Sequence, residues 1–74
     1  ADLRTIININ DKFSFVEQLF TSNIRAYNEC ILKLNDMADK SEALAYIATI
    51  AQHYNWDESS VVVKNFYKII DRKF

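Results

Sequence analysis

The 74-residue chain contains no glycine and no proline, where average usage would give about five and four. Without glycine, the type I′ and II′ turns of tight β-hairpins would depend on asparagine alone, so a sheet built from several hairpins is not expected. Glycine-rich phosphate-binding loops are excluded for the same reason. The turn residues that remain are Asn, Asp and Ser, which suit helix caps. Together these absences predict an all-α fold.

Cysteine is scarce, and the net charge is close to zero. The single cysteine, Cys30, excludes an internal disulfide, so nothing indicates a secreted, cross-linked scaffold. Nine basic residues against ten acidic ones leave a net charge of −1, which gives no electrostatic footprint for nucleic acid or an anionic membrane. No apolar run approaches the roughly 20 residues that span a bilayer, and no signal peptide is visible. We therefore expect a cytoplasmic protein without membrane insertion.

The chain is rich in apolar residues. Half of its residues are apolar and 14% are aromatic, too many for a disordered segment, and the length allows one small domain at most. Because the chain starts at Ala1 rather than Met, it is compatible with a domain excised from a longer protein.

Apolar residues recur at the helical period in four segments, 11–20, 23–38, 42–54 and 58–74. The opening "ADLRTIININ" lacks that periodicity. We interpret residues 1–9 as an extended arm that docks an isoleucine onto a single helical domain, residues 10–74. The prediction is a compact bundle of about four short helices with an extended N-terminal arm.

Each predicted helix follows a residue whose side-chain oxygen suits an N-cap. The predicted caps are Asn10, Ser22, Ser41 and Asp57. Trp56 precedes the last of these, and we expect its ring to be buried as a plug that fixes the angle between the third and fourth helices. His53, the only histidine, lacks the three or four neighbouring ligands of a metal site. The stretch around Trp56 is therefore interpreted as a joint between helices.

No set of acid, base, nucleophile and metal ligands converges in the sequence. Cys30 flanks a predicted core stripe, and buried thiols of that kind are inert. The segment 36–47 superficially resembles a calcium loop, but Ser41 and Ile47 stand where such a loop needs Gly and Glu. We therefore expect no enzyme, no metal, no cofactor and no small-molecule ligand.

Residues 47–66 resemble a helix-turn-helix DNA-binding motif, with a turn at Asn55 and Val61 as the inward residue of a recognition helix. The core positions of the last helix are out of phase with Val61. Phosphate contacts dominate DNA affinity, and this helix offers mainly Lys64 and Lys68 for them. DNA binding is therefore the alternative function, and nucleic acid is not the expected partner.

Several short motifs are similar to a known domain. They are "INDKFSFVEQLF" (9–20), "LN" (34–35), "EALAYI" (42–47), "WD" (56–57) and "VKNFYKIIDRKF" (63–74). Over residues 9–74 the chain resembles a small helical domain that recurs, often near the C-terminus, in uncharacterised proteins of Bacteroidetes bacteria. The motifs consist of core and cap residues, so the resemblance implies a fold and no catalytic residues.

Some apolar side chains fall outside the predicted core stripes. They are Phe15, Leu19, Leu32 and Val61, the predicted partner-binding residues. Four helices also have room to bury Phe15 and Leu19, so a core position for both stays open. The leading hypothesis is a non-enzymatic interaction or structural module that presents helix faces to another protein, to a second copy of itself, or to the rest of a longer chain.

Overall fold

The computed structural model describes residues 2–74, and within them every regular element is a helix. The helices are α1 Leu3–Ile6, α2 Ile9–Leu19, α3 Ile24–Asp36, α4 Lys40–Tyr54 and α5 Val61–Lys73. The described chain measures 27 × 24 × 22 Å along its principal axes. The predicted compact all-α bundle is therefore confirmed, and its four predicted helices correspond to α2, α3, α4 and α5.

The N-terminal arm differs from the prediction because it contains a helical turn. Asp2 caps α1, since its carboxylate accepts the Arg4 backbone N–H at 2.8 Å. Leu3 is completely buried and Ile7 is nearly so. An isoleucine of this segment does dock onto the bundle, but the segment contributes to the core instead of lying extended across it. Ala1 lies outside the described residues.

The N-caps lie close to their predicted positions but on other residues. Asn8, Asn23, Asp39 and Ser60 cap α2, α3, α4 and α5, in place of Asn10, Ser22, Ser41 and Asp57. Asn10 lies inside α2, and Ser41 donates its backbone N–H to the Asp39 carboxylate at 2.9 Å. Each predicted cap has another Asn, Asp or Ser nearby that is equally suited.

Asp57 stabilises the turn that precedes α5. Its carboxylate accepts the backbone N–H of Ser59 at 3.0 Å and the Ser59 hydroxyl at 2.6 Å. These hydrogen bonds hold the pKa of Asp57 below its ordinary value. The helix itself begins at Val61, where Ser60 accepts the N–H of Val62. Asp57 is thus a turn residue and not a helix cap.

Two helices end in the left-handed backbone conformation that glycine normally supplies. Thr21 and Ser22 follow α2 with φ of 51° and 64°, and Asn55 follows α4 with φ of 56°. The Ser22 N–H donates to the Val16 carbonyl at 2.8 Å and closes the end of α2. Left-handed conformation costs an L-residue roughly 1–2 kcal/mol. In a chain without glycine, these hydrogen bonds must offset that cost.

The hydrophobic core joins side chains from all five helices. Its buried members are Leu3, Ile7, Phe15, Val16, Leu19, Phe20, Tyr27, Cys30, Ile31, Leu34, Ala43, Ile47, Val63, Phe66, Ile69 and Ile70. Helices α1 and α2 each pack against both α3 and α5. The core therefore reaches into the predicted arm.

Phe15 and Leu19 lie in this core and not on a partner surface. The Phe15 ring meets the Phe66 ring of α5 edge-on, with centroids 5.1 Å apart. The helical period puts Phe13 on one apolar stripe with Val16, but Phe13 is 59% exposed. The sequence of α2 contains two apolar stripes. Contact with α5 and α3 buries the face of α2 that carries Phe15, Val16 and Leu19, and Phe13 lies outside that face.

Trp56 fills the corner between α4 and α5 with a half-buried ring. Its indole Nε1–H donates to the Leu19 carbonyl at 2.8 Å. The ring packs edge-on against Phe20 and Phe66, with centroid distances of 6.1 and 5.6 Å. This geometry suits the predicted plug and also ties the corner to the end of α2.

Replacement of Trp56 by alanine is expected to lower the free energy of unfolding by roughly 3–5 kcal/mol, the range for truncation of a large packed side chain. Trp56→Phe keeps a ring but removes the hydrogen bond to Leu19, so a smaller loss of about 1 kcal/mol or more is expected. Urea denaturation followed by far-UV circular dichroism measures both. His53→Ala, at an exposed position near the same corner, is the control. A loss below about 1 kcal/mol for Trp56→Ala would contradict the packed role of the ring.

Candidate functional site

A groove of about 380 Å³ opens between α1, α2 and α3. Its lining residues are Arg4, Ile7, Lys12, Tyr27, Asn28, Ile31 and Leu32. The volume falls in the general range of ligand and peptide pockets, roughly 300–1,000 Å³. The lining combines an apolar floor with two cationic side chains, and it includes Leu32, one of the predicted partner-binding residues.

Asn35 positions the α1 wall of this groove. Its side-chain oxygen accepts the Leu3 backbone N–H at 2.9 Å, and its side-chain nitrogen donates to the Asp2 carboxylate at 2.9 Å. Both hydrogen bonds join the last turn of α3 to the start of α1. In the sequence, Asn35 stands out only as part of the "LN" motif. The one further signal for it is that a polar residue directly follows Leu34, which is buried.

Arg4 forms the outer rim of the groove and is already paired. Its guanidinium donates to the Asp2 carboxylate, with Nη2 at 2.8 Å and Nε at 3.2 Å. Hydrogen bonds from the Arg4 side chain and then from its backbone N–H hold the pKa of Asp2 well below its ordinary value. Because the pair is exposed, it contributes little to stability and mainly orients the rim.

Lys12 is the other cation of the groove and is not paired. It projects from the first turns of α2, is half-buried, and forms no ion pair with any residue in 2–74. Ile7 and Ile31 lie in the same lining and are buried. The groove therefore presents an ammonium group beside apolar surface.

Exposed apolar side chains extend this surface on both adjoining helices. On α3, Ile24, Asn28 and Leu32 follow one another at a spacing of four residues and so share one face. On α2, Ile9 lies three residues before Lys12 and four before Phe13, so these three residues share the helix face that borders the groove. We call the surface formed by Ile9, Lys12, Phe13, Ile24, Asn28 and Leu32 the groove face.

Val61 lies outside the groove face. It is 81% exposed at the start of α5 and lines a second cleft, between α2 and α5, with Lys64 and Lys68. Asp11 also lines this cleft, where its carboxylate accepts a hydrogen bond from Asn65 at 3.2 Å. The predicted partner-binding residues are thus separated: two are core, Leu32 is on the groove face, and Val61 is on the α5 cleft.

The geometry between α4 and α5 departs from a helix-turn-helix unit. Six residues, 55–60, connect the two helices, whereas the motif uses a turn of about three or four. Val61, the inward residue of the motif, faces solvent. DNA binding through α5 stays a prediction, although the arrangement of α4 and α5 does not match the motif that suggested it.

The residue types that carry most chemistry are dispersed. His53 is exposed, and its ring meets Tyr54 at 4.8 Å. Within residues 2–74 no three His, Cys, Asp or Glu side chains are placed to hold a metal ion. None of the helices in this part of the chain combines the length and apolar character that crossing a bilayer requires.

Three weakly acidic side chains, Tyr27, Cys30 and Tyr46, lie in the core or pack against it. Burial raises the pKa of the Cys30 thiol to about 12. Burial, with smaller contributions from neighbouring charges, also raises the pKa of Tyr27 and of Tyr46 to about 12. A thiol that resists ionisation is a poor nucleophile, so Cys30 acts as a packing residue.

The fold and the groove define a small all-α domain with an open, cation-lined groove between its first three helices. Residues 4–74 match the family described as "Domain of unknown function (DUF8457)", and the chain belongs to that family. This confirms the resemblance at the level of an uncharacterised domain, while the bacterial group and the C-terminal position stay predictions. No curated protein and no solved structure matches the chain.

The raised pKa values predict a loss of stability in alkaline solution. The neutral forms of Cys30, Tyr27 and Tyr46 are favoured in the fold, with pKa values of about 12 against ordinary values of 9.0 for the thiol and 10.0 for the phenols. Their contribution is complete below the ordinary values and is lost as the pH rises toward 12. The free energy of unfolding should therefore fall between about pH 9 and 12.

Urea denaturation at a series of pH values measures this fall. In Cys30→Ala the decline should begin about one pH unit later, because only the tyrosines remain. The slope of stability against pH is compared, since the substitution also changes packing. A stability that stays level up to about pH 11 in the unmodified protein would contradict the burial of these groups.

Proposed function

We propose that this domain is a non-enzymatic protein-interaction module, in or facing the cytoplasm, and that its groove face receives a segment of another protein. The observation that carries the proposal is the set of large apolar side chains left exposed on both sides of the groove. Ile9, Phe13, Ile24 and Leu32 are 46–60% exposed. Single exposed apolar residues are ordinary, but a group on adjoining helix faces is typical of interaction sites.

The packing beneath the groove face supports this role. Its exposed residues stand on α2 and α3, which are held against each other by the contact of Phe20 with Tyr27, ring centroids 5.7 Å apart. The surface is therefore carried by fixed elements rather than by loops. Helical segments commonly dock into apolar grooves of this kind through side chains spaced three or four residues apart.

Site-specific photo-crosslinking in the source cells tests the proposal. A benzophenone amino acid is placed at position 32 or 24 of the groove face, and at position 48 of α4 as the control. All three positions are exposed, and α4 contributes nothing to the lining of the groove. The expected result is one adduct of the same mass from positions 32 and 24, and none from position 48.

The mass of the adduct distinguishes the occupants. Twice the mass of the chain would identify a second copy, and light scattering across a dilution series would then show a dimer that dissociates. Adducts that are equally abundant from position 48, or the absence of adducts from both groove positions, would contradict an interaction at this face.

One observation favours the DNA-binding alternative. Lys64 and Lys68 lie one turn apart on α5, are exposed, and form no ion pair within the described residues. If they contact phosphates, binding of a labelled DNA duplex should weaken steeply with salt, and replacing both by glutamine should reduce the log–log salt slope by about two. Fluorescence anisotropy measures this. Absence of binding at low salt would eliminate the alternative.

A further inference from the structure

We propose that the segment received by the groove face is acidic as well as apolar. In this arrangement a partner carboxylate pairs with Lys12, and an apolar side chain within about one helical turn of it packs against Ile31 and Leu32. The inference rests on the proposed function and specifies the chemistry of the partner.

The sign of the local charge is the first reason. The chain as a whole carries a net charge of −1, yet the described residues that line the groove include Arg4 and Lys12 and no Asp or Glu. Since Arg4 is paired with Asp2, Lys12 is the unpaired charge of this lining, and its sign is opposite to the net charge of the chain. Complementary charge selects partners and suppresses those of like sign, so a basic segment is disfavoured here.

The different states of the two cations are the second reason. Arg4 already has a carboxylate partner in Asp2 at 2.8 Å. Lys12 has no ion pair within residues 2–74, although it is half-buried beside Ile7 and Ile31. An ammonium group at the edge of apolar surface is less screened than one in open solvent, so its attraction for a carboxylate is stronger. Of the two groove cations, Lys12 is thus the one left available to a partner.

The third reason is the apolar surface around Lys12. Ile7 and Ile31 form the buried floor, and Leu32 stands at the rim with 52% of its surface exposed. An acidic ligand without apolar groups would leave the exposed part of Leu32 in water. A segment that carries both groups satisfies the ammonium and covers Leu32 in one step.

An unbiased peptide selection tests the inference. A displayed library of random 12-residue peptides is selected on the intact protein, and the recovered sequences are compared with the unselected library. We expect enrichment of Asp or Glu within four residues of Leu, Ile or Phe. Affinities of recovered peptides are then measured by fluorescence anisotropy on the variants. Lys12→Glu should weaken binding about tenfold or more, because attraction becomes repulsion.

Two further variants make the outcomes distinguishable. Lys68→Glu makes the same change of charge on α5, outside the groove, and should leave peptide affinity within about twofold. Leu32→Asp should abolish binding. Circular dichroism confirms that each variant is folded.

Peptides that need Leu32 but show no acidic enrichment would overturn the acidic partner and leave the interaction module standing. Equal weakening by Lys12→Glu and Lys68→Glu would also overturn it, since overall charge would then explain the result. Recovery of no peptide, or of peptides unaffected by Leu32→Asp, would overturn both the acidic segment and the groove face as a docking surface.

Discussion

The side-chain amide of Asn35, in the last turn of α3, joins that helix to the start of α1. It accepts the Leu3 N–H and donates to the Asp2 carboxylate, both at 2.9 Å. The Leu3 N–H belongs to the first turn of a helix and has no partner within that helix. The amide therefore satisfies a donor at the edge of the core, and Leu3 is completely buried beside it. With α1 fixed in this way, Arg4 forms a rim and Ile7 a floor, and the groove exists.

A side chain also satisfies a helix end at the corner between α4 and α5. The Leu19 carbonyl at the end of α2 lies beyond the reach of the helical hydrogen-bond pattern, and the indole N–H of Trp56 donates to it at 2.8 Å. One side chain thus satisfies a helix end and fills the α4–α5 corner. Thr21 and Ser22, which turn the chain after α2 without glycine, are fixed by local hydrogen bonds. In this small domain the helix ends, as much as the core, determine how the helices meet.

The parts of the fold that depend on composition and long periodicity can be predicted from the sequence. The absence of Gly and Pro and the four periodic segments gave the all-α bundle. A single turn such as α1 has too few residues for a periodic signal, so the sequence alone predicts an extended segment there. The apolar stripes of α2 could not be ranked, because the choice between Phe13 and Phe15 depends on which helices pack beside α2. The groove was beyond the sequence, since it needs the pairing of α1 with α3 through Asn35.

Two successive residues of α2, Asp11 and Lys12, give the α5 cleft and the groove different electrostatic character. Asp11 lines the cleft with α5, where it bonds to Asn65 and places a negative charge among Lys64 and Lys68. Lys12 lines the groove with α1 and α3, whose described lining includes no Asp or Glu. The α5 cleft therefore has part of its positive charge compensated within the fold, which weakens its case as a phosphate-binding surface. Lys12 in the groove forms no ion pair within the described residues and lies beside apolar surface, which is the basis for proposing an acidic, apolar segment as the partner.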